Sequence, residues 1–172
     1  MFKTKYWLLG IFLLTLFVRL ILAFYLPNFS YESYFYLRQV EHISTSGLPL
    51  YQDSLSYGGR ELVFLPLFYY LMAFFDLLFP LEIVAKIIPN LLLSTLTLII
   101  FYISKKINAN EIGALLAASV AGFLPILYST NSFNPDTLFL PLVFLAIYFF
   151  MNFDNKNKIY MYLYLLILLL LC

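Results

Sequence analysis

Glu32 and Asp136 are the acids whose surroundings best suit chemistry at a membrane surface. Glu32 lies in NFSYESYFYLRQVEHISTSG, residues 28 to 47, a polar stretch that directly follows the first apolar run and also carries Arg38, Glu41 and His42. A carboxylate in the first turn of a helix is held in its ionised form by the helix dipole. Asp136 stands in NSFNPDT, immediately ahead of another apolar run. Capping accounts for both positions as well: Asn28 or Ser30 can cap a helix that starts near Glu32, and Pro135 with Asp136 makes a helix start.

Cations are the second group. Arg19 lies well inside an apolar run, where an unpaired charge costs roughly 2.5 kcal/mol or more. At 1.5 Å per residue it stands about 21 Å up a core about 30 Å thick, so it must snorkel outward or pair within the bundle. Lys86 lies near the start of a later run, and Arg60 follows Gly58-Gly59 on a turn. Three such cations facing one cavity would suit a lipid phosphate. His42 is the only histidine and cannot build a His-rich metal site, Asp53 reads as turn chemistry, and no nucleotide-binding loop or GxSxG motif is present.

The elements that must position these residues are membrane helices. Of 172 residues 63% are hydrophobic and 11% charged, and mean hydropathy is +0.91, which is the composition of an integral membrane protein. A net charge of +1 with scattered lysines leaves no basic stripe for nucleic acid. One cysteine, Cys172, excludes an internal disulfide framework. The run from Tyr6 to Leu26 has no small-residue cleavage site after it and reads as a retained span. Spans are expected at about 6–26, 83–104, 112–130, 137–153 and 159–172. The last ends inside an apolar run too short to cross, so the chain reads as a single transmembrane domain that is a fragment of a larger module, or as one with an incomplete final helix.

Orientation follows from the lysines. If the stretch from Leu62 to Phe79 crossed, KKINAN and DNKNK would face outward, against the positive-inside bias. With Pro66 inside it and Pro80 directly after it, Asp76 and many aromatics, it instead reads as an interfacial helix. Six of the ten basic residues (Lys3, Lys5, Lys105, Lys106, Lys156, Lys158) then face the cytoplasm. One long external loop, 27–82, and one short one, 131–136, put Glu32 and Asp136 on the same side. Within the long loop, Tyr36, Leu37, Val40 and Ile43 form an apolar stripe at helical spacing, with Arg38, Glu41 and His42 to the other side and Arg38 within pairing distance of Glu41 or His42.

The order of these features, from the first span through Glu32-Ser33-Tyr34 and YLRQVEHISTSGLP to LPLFYYLMAFF, LEIVAKIIPNLLL and STNSFNPDTLF, resembles the glycosyltransferase C superfamily over about residues 12 to 153. The resemblance implies an all-α polytopic bundle. Its first external loop would contain interfacial helices, and its activity would move a sugar from a polyprenyl-phosphate carrier to a lipid, glycan or protein acceptor on the external face of the cell membrane. It implies Glu32 as base or metal ligand and Asp136 as the nearby second acid, with Mg or Mn as the metal if there is one. Arg38, Arg60, Lys86 and Tyr34 become the expected substrate contacts. The single-sugar branch, similar to protein mannosyltransferases and lipid A aminoarabinose transferases, is favoured over oligosaccharyltransferase catalytic subunits. The latter carry a second loop acid where Leu138 stands here, and their WWD signature would fall after Cys172. A non-catalytic carrier binder or transporter piece is the remaining alternative; a transporter would place polar breaks at mid-membrane, whereas these acids gather in loops.

Overall fold

The structure, a computed structural model, describes residues 2–53, 60–61, 66–108, 110–124, 131–153 and 158–171. Its described helices are α1 (Phe2–Tyr25), α2 (Tyr31–Ser46), α3 (Leu67–Asp76), α4 (Leu81–Asn108), α5 (Glu111–Phe123), α6 (Asp136–Met151) and α7 (Lys158–Leu171). A two-residue antiparallel pair, β1 (Gln52–Asp53) with β2 (Arg60–Glu61), lies between α2 and α3. Asp53 is therefore part of a short ladder opposite Arg60, and the Gly58-Gly59 turn lies outside the described residues. The architecture is an all-α membrane bundle. Two of the described helices are long and apolar enough to cross a bilayer, Thr4–Tyr25 and Leu81–Asn108. Where spans are expected at 112–130 and 137–153, the described helices are shorter, Glu111–Phe123 and Asp136–Met151. At 10 residues, α3 extends only about 15 Å.

Local sequence explains where the helices begin and end. Proline sits just before or at the entry of α3, α4 and α6, where its missing N–H costs nothing: Tyr70, Val84 and Phe139 donate backbone N–H groups to the carbonyls of Pro66, Pro80 and Pro135. Asn110 caps α5 by accepting from the Ile112 N–H at 3.0 Å. α2 stops at Gly47, whose φ of 76° is the left-handed conformation that closes a helix, with its N–H donating to the Ile43 carbonyl at 2.8 Å.

Contacts at the two ends fix the helix directions. At one end Glu111, which opens α5, accepts from Lys105 of α4 at 2.7 Å and from Thr4 of α1, while Lys106 donates to Asn152 at the exit of α6 at 2.7 Å. The bond from Lys105, then that from Thr4, holds the Glu111 carboxyl below its usual range. At the opposite end Lys86, near the start of α4, donates to the Leu26 carbonyl just after α1 at 3.2 Å. The helices α1, α4, α5 and α6 consequently run up, down, up and down. At the end away from Glu111, α2 and α3 lie together over a core of Val40, Ile43, Phe68, Tyr69, Met72, Ala73, Val84, Phe133 and Leu138. The apolar stripe of α2 faces this core, with Val40 and Ile43 buried and Tyr36 and Leu37 packed against it.

Candidate functional site

The first turn of α2 is locked to the segment that leads into α6. The buried Ser33 Oγ accepts the Phe133 backbone N–H at 2.8 Å, the Ser30 N–H donates to the Asn131 carbonyl at 3.1 Å, and Asn131 Nδ2 donates to the Asn28 carbonyl. Ser30 occupies the N-cap position, but its hydroxyl engages Ser33 Oγ at 2.7 Å and not a backbone N–H of the helix. Phe133 is fully buried, its ring 5.1 Å from that of Phe68 in α3. Segments 100 residues apart thus share one docking surface, with Glu32 next to Ser33 in α2 and Asp136 three residues after Phe133.

Both carboxylates are exposed. Asp136 opens α6, and its backbone N–H donates to Asn134 Oδ1 at 2.6 Å while Asn134 Nδ2 donates back to its carboxylate at 3.3 Å. This reciprocal pair fixes the side chain at the start of α6. The point where the two acids act together is Tyr36, one turn beyond Glu32. Burial first, then the charges of Glu32 and of Asp136, push the Tyr36 phenol above its ordinary value. Beneath it the Tyr69 ring lies 6.2 Å away, and that phenol is raised by burial and by Tyr36. Tyr36 belongs to the apolar stripe of α2, and its spacing of four from Glu32 is the sequence signal that it also borders that acid.

The expected substrate contacts are spread around this end of the bundle. Lys86 sits between the rings of Phe24 at 5.5 Å and Phe29 at 5.7 Å while bonding the Leu26 carbonyl, so it closes the exit of α1. Tyr34 is exposed and meets Phe29 edge-on, with ring centroids 6.3 Å apart. Arg38 lies over the Phe35 ring at 5.8 Å. His42 turns its Nδ1 to the Leu48 carbonyl at 2.8 Å and to Ser46, which ties it to the turn after α2. Arg60 contributes backbone to β2. Arg19 does not snorkel: it is fully buried, with Nη1 3.5 Å from Asn90 Oδ1 and Nη2 3.5 Å from the Gly122 carbonyl.

The residues that could hold a metal are Glu32 and Asp136. Among the described residues no group of three or more His, Cys, Asp or Glu is clustered for a metal. Comparison with known proteins adds the chain's relationships. The family model for dolichyl-phosphate-mannose-protein mannosyltransferase matches residues 65–171, a range that takes in Lys86 and Asp136 and begins after Glu32. No curated protein matches the chain.

Proposed function

Since the chain belongs to the dolichyl-phosphate-mannose-protein mannosyltransferase family, a family of membrane glycosyltransferases supplied by polyprenyl-phosphate sugars, we propose that it serves transfer of a single sugar from such a carrier to an acceptor hydroxyl on the external membrane face. Glu32 is the general base. As the acceptor oxygen bonds to the anomeric carbon, its proton passes to Glu32. The bond from that carbon to the carrier phosphate breaks, and the electron pair leaves on the polyprenyl phosphate. Direct attack with no covalent sugar-enzyme intermediate inverts the anomeric centre. Asp136 shares the polar end of the site with Glu32, Arg38, Arg60 and Lys86 are assigned to the departing phosphate, and Tyr34 offers its exposed ring to the sugar.

The observation that supports this reading is the docking of the first turn of α2 on the segment before α6, where Ser33 Oγ accepts the Phe133 N–H at 2.8 Å: it brings elements that carry acids remote in sequence to one end of the bundle. The test is transfer from a polyprenyl-phosphate sugar by the protein and by its Glu32→Gln variant, with and without chelator. Loss of the base is expected to slow turnover about a hundredfold or more, with wild-type transfer resisting chelation, as single-sugar transfer through a base requires. Near-normal turnover by Glu32→Gln overturns the assignment and leaves α2 as a capped interfacial helix.

A further inference from the structure

Arg19 is fully buried between three helices, and among the described residues no acid pairs with it. Nη1 faces Asn90 Oδ1 on α4, Nη2 faces the Gly122 carbonyl on α5, and Nε has no acceptor among the described residues. Both contacts measure 3.5 Å, long for a guanidinium, so the cation relies on both helices at once. If either helix moves away, a charge is stranded in the bundle.

The two acceptors are placed with purpose. Gly122 lies in the last turn of α5, where carbonyls are left without intrahelical donors and the helix presents its negative end, so the guanidinium caps α5. Asn90 follows Pro89 inside α4 and uses its Nδ2 to bond the Lys86 carbonyl at 2.8 Å. The fit is close: a Cβ on Gly122 would lie 2.7 Å from Thr15 Cγ2 and closer still to Thr97 Cγ2. Thr15 is one turn before Arg19 on α1, so the same glycine that lets α5 press against α1 also brings its carbonyl to the guanidinium.

Chain direction gives this joint its consequence. α1 runs on into α2 and Glu32, and α5 runs toward the segment that holds Asp136. Arg19 therefore ties together the two stems from which the acid-bearing segments emerge. We propose that Arg19 is a positioning residue: by capping α5 from α1, with Asn90 of α4 as the third support, it sets the docking of α2 on residues 131–136 and hence the relation of Glu32 to Asp136. This proposal rests on the assignment of those two acids as the working carboxylates, and the docking it describes can be measured without any transfer reaction.

The reporter is disulfide formation between Ser30→Cys and Asn131→Cys, whose backbones are joined by a hydrogen bond of 3.1 Å, in a Cys172→Ser background of the membrane-inserted protein. The parent pair is expected to cross-link on mild oxidation, Arg19→Met to slow the reaction at least about tenfold, and Arg19→Lys, which keeps a cationic donor, to recover most of it; each tenfold corresponds to about 1.4 kcal/mol of docking. If Arg19→Met fails to insert, Asn90→Leu keeps the cation, removes its α4 acceptor and must slow cross-linking in the same way. An inserted Arg19→Met or Asn90→Leu that cross-links at the parental rate overturns the proposal. Kinetics supply a second arm: a positioning role lowers kcat about a hundredfold with KM for the polyprenyl-phosphate sugar unchanged, whereas a raised KM with normal kcat would make Arg19 a donor ligand and refute positioning. Absence of any transfer by the parent refutes the functional reading alone, because the cross-linking comparison is decided separately.

Discussion

Ser33→Ala probes the docking of the two acid-bearing segments with the least change in shape. The hydroxyl is fully buried and accepts the N–H of Phe133, itself fully buried, at 2.8 Å. Alanine fills the same space apart from one oxygen, so the loss is chiefly a buried backbone donor left without an acceptor, which costs about 1 to 3 kcal/mol. Ser30→Ala is the control, since Ser30 is exposed and gives up only its hydroxyl contact with Ser33. The measurement is hydrogen exchange at the Phe133 amide in the detergent-solubilised protein. Stabilisation lost at that site raises the open population in proportion, so Ser33→Ala should exchange about 5 to about 150 times faster than wild type, and Ser30→Ala within about fivefold. Equal rates for the two variants would refute the reasoning, because they would mean that the Ser33 hydroxyl carries none of the contact between α2 and the segment before α6.

Two further outcomes follow. Gly122→Ala places a methyl against the stiff branched side chains of Thr15 and Thr97; it should destabilise the bundle by about 1 to 3 kcal/mol, read as a lower midpoint in a denaturing-detergent titration, and a midpoint equal to wild type would mean that α5 packs more loosely than described. Single cysteines at Asn108 and Asn134, in a background lacking Cys172, should label from opposite sides of the membrane, the first from the cytoplasm and the second from outside, as the lysine distribution requires. Labelling of both from outside would reject that orientation.

How much of this was legible in the sequence depended on the range of the interaction. The apolar stripe of α2 could be read because Val40 and Ile43 repeat at helical spacing within one element. The shared side of Glu32 and Asp136 was approached through lysine pairs, a counting argument that needs no contact to be known. What sequence could not give were contacts whose partners lie far away: nothing in NFSYES announces that Ser33 will receive the Phe133 N–H, or that Tyr36 will feel Asp136. Arg19 was visible as an oddity and open between snorkelling and pairing. The choice between them required Gly122, a residue on another helix that supplies a carbonyl and no side chain. His42 and Lys86 teach the same point locally, since each is drawn to a backbone carbonyl at a chain turn.

The hydrogen bond between Ser33 and Phe133 spans 100 residues, and this separation sets a timetable for biosynthesis. When α2 leaves the ribosome and reaches the membrane surface, the segment that will dock on it does not yet exist. At about 5 to 20 residues per second, about 5 to 20 s of elongation separate the two halves of the site. During that interval the Ser30 N–H lacks the Asn131 carbonyl and the Ser33 hydroxyl lacks the Phe133 N–H, and Glu32 waits without the second acid. The docked pair of segments is thus a late product of translation, completed only when the residues around Phe133 have emerged and folded back on a helix made long before.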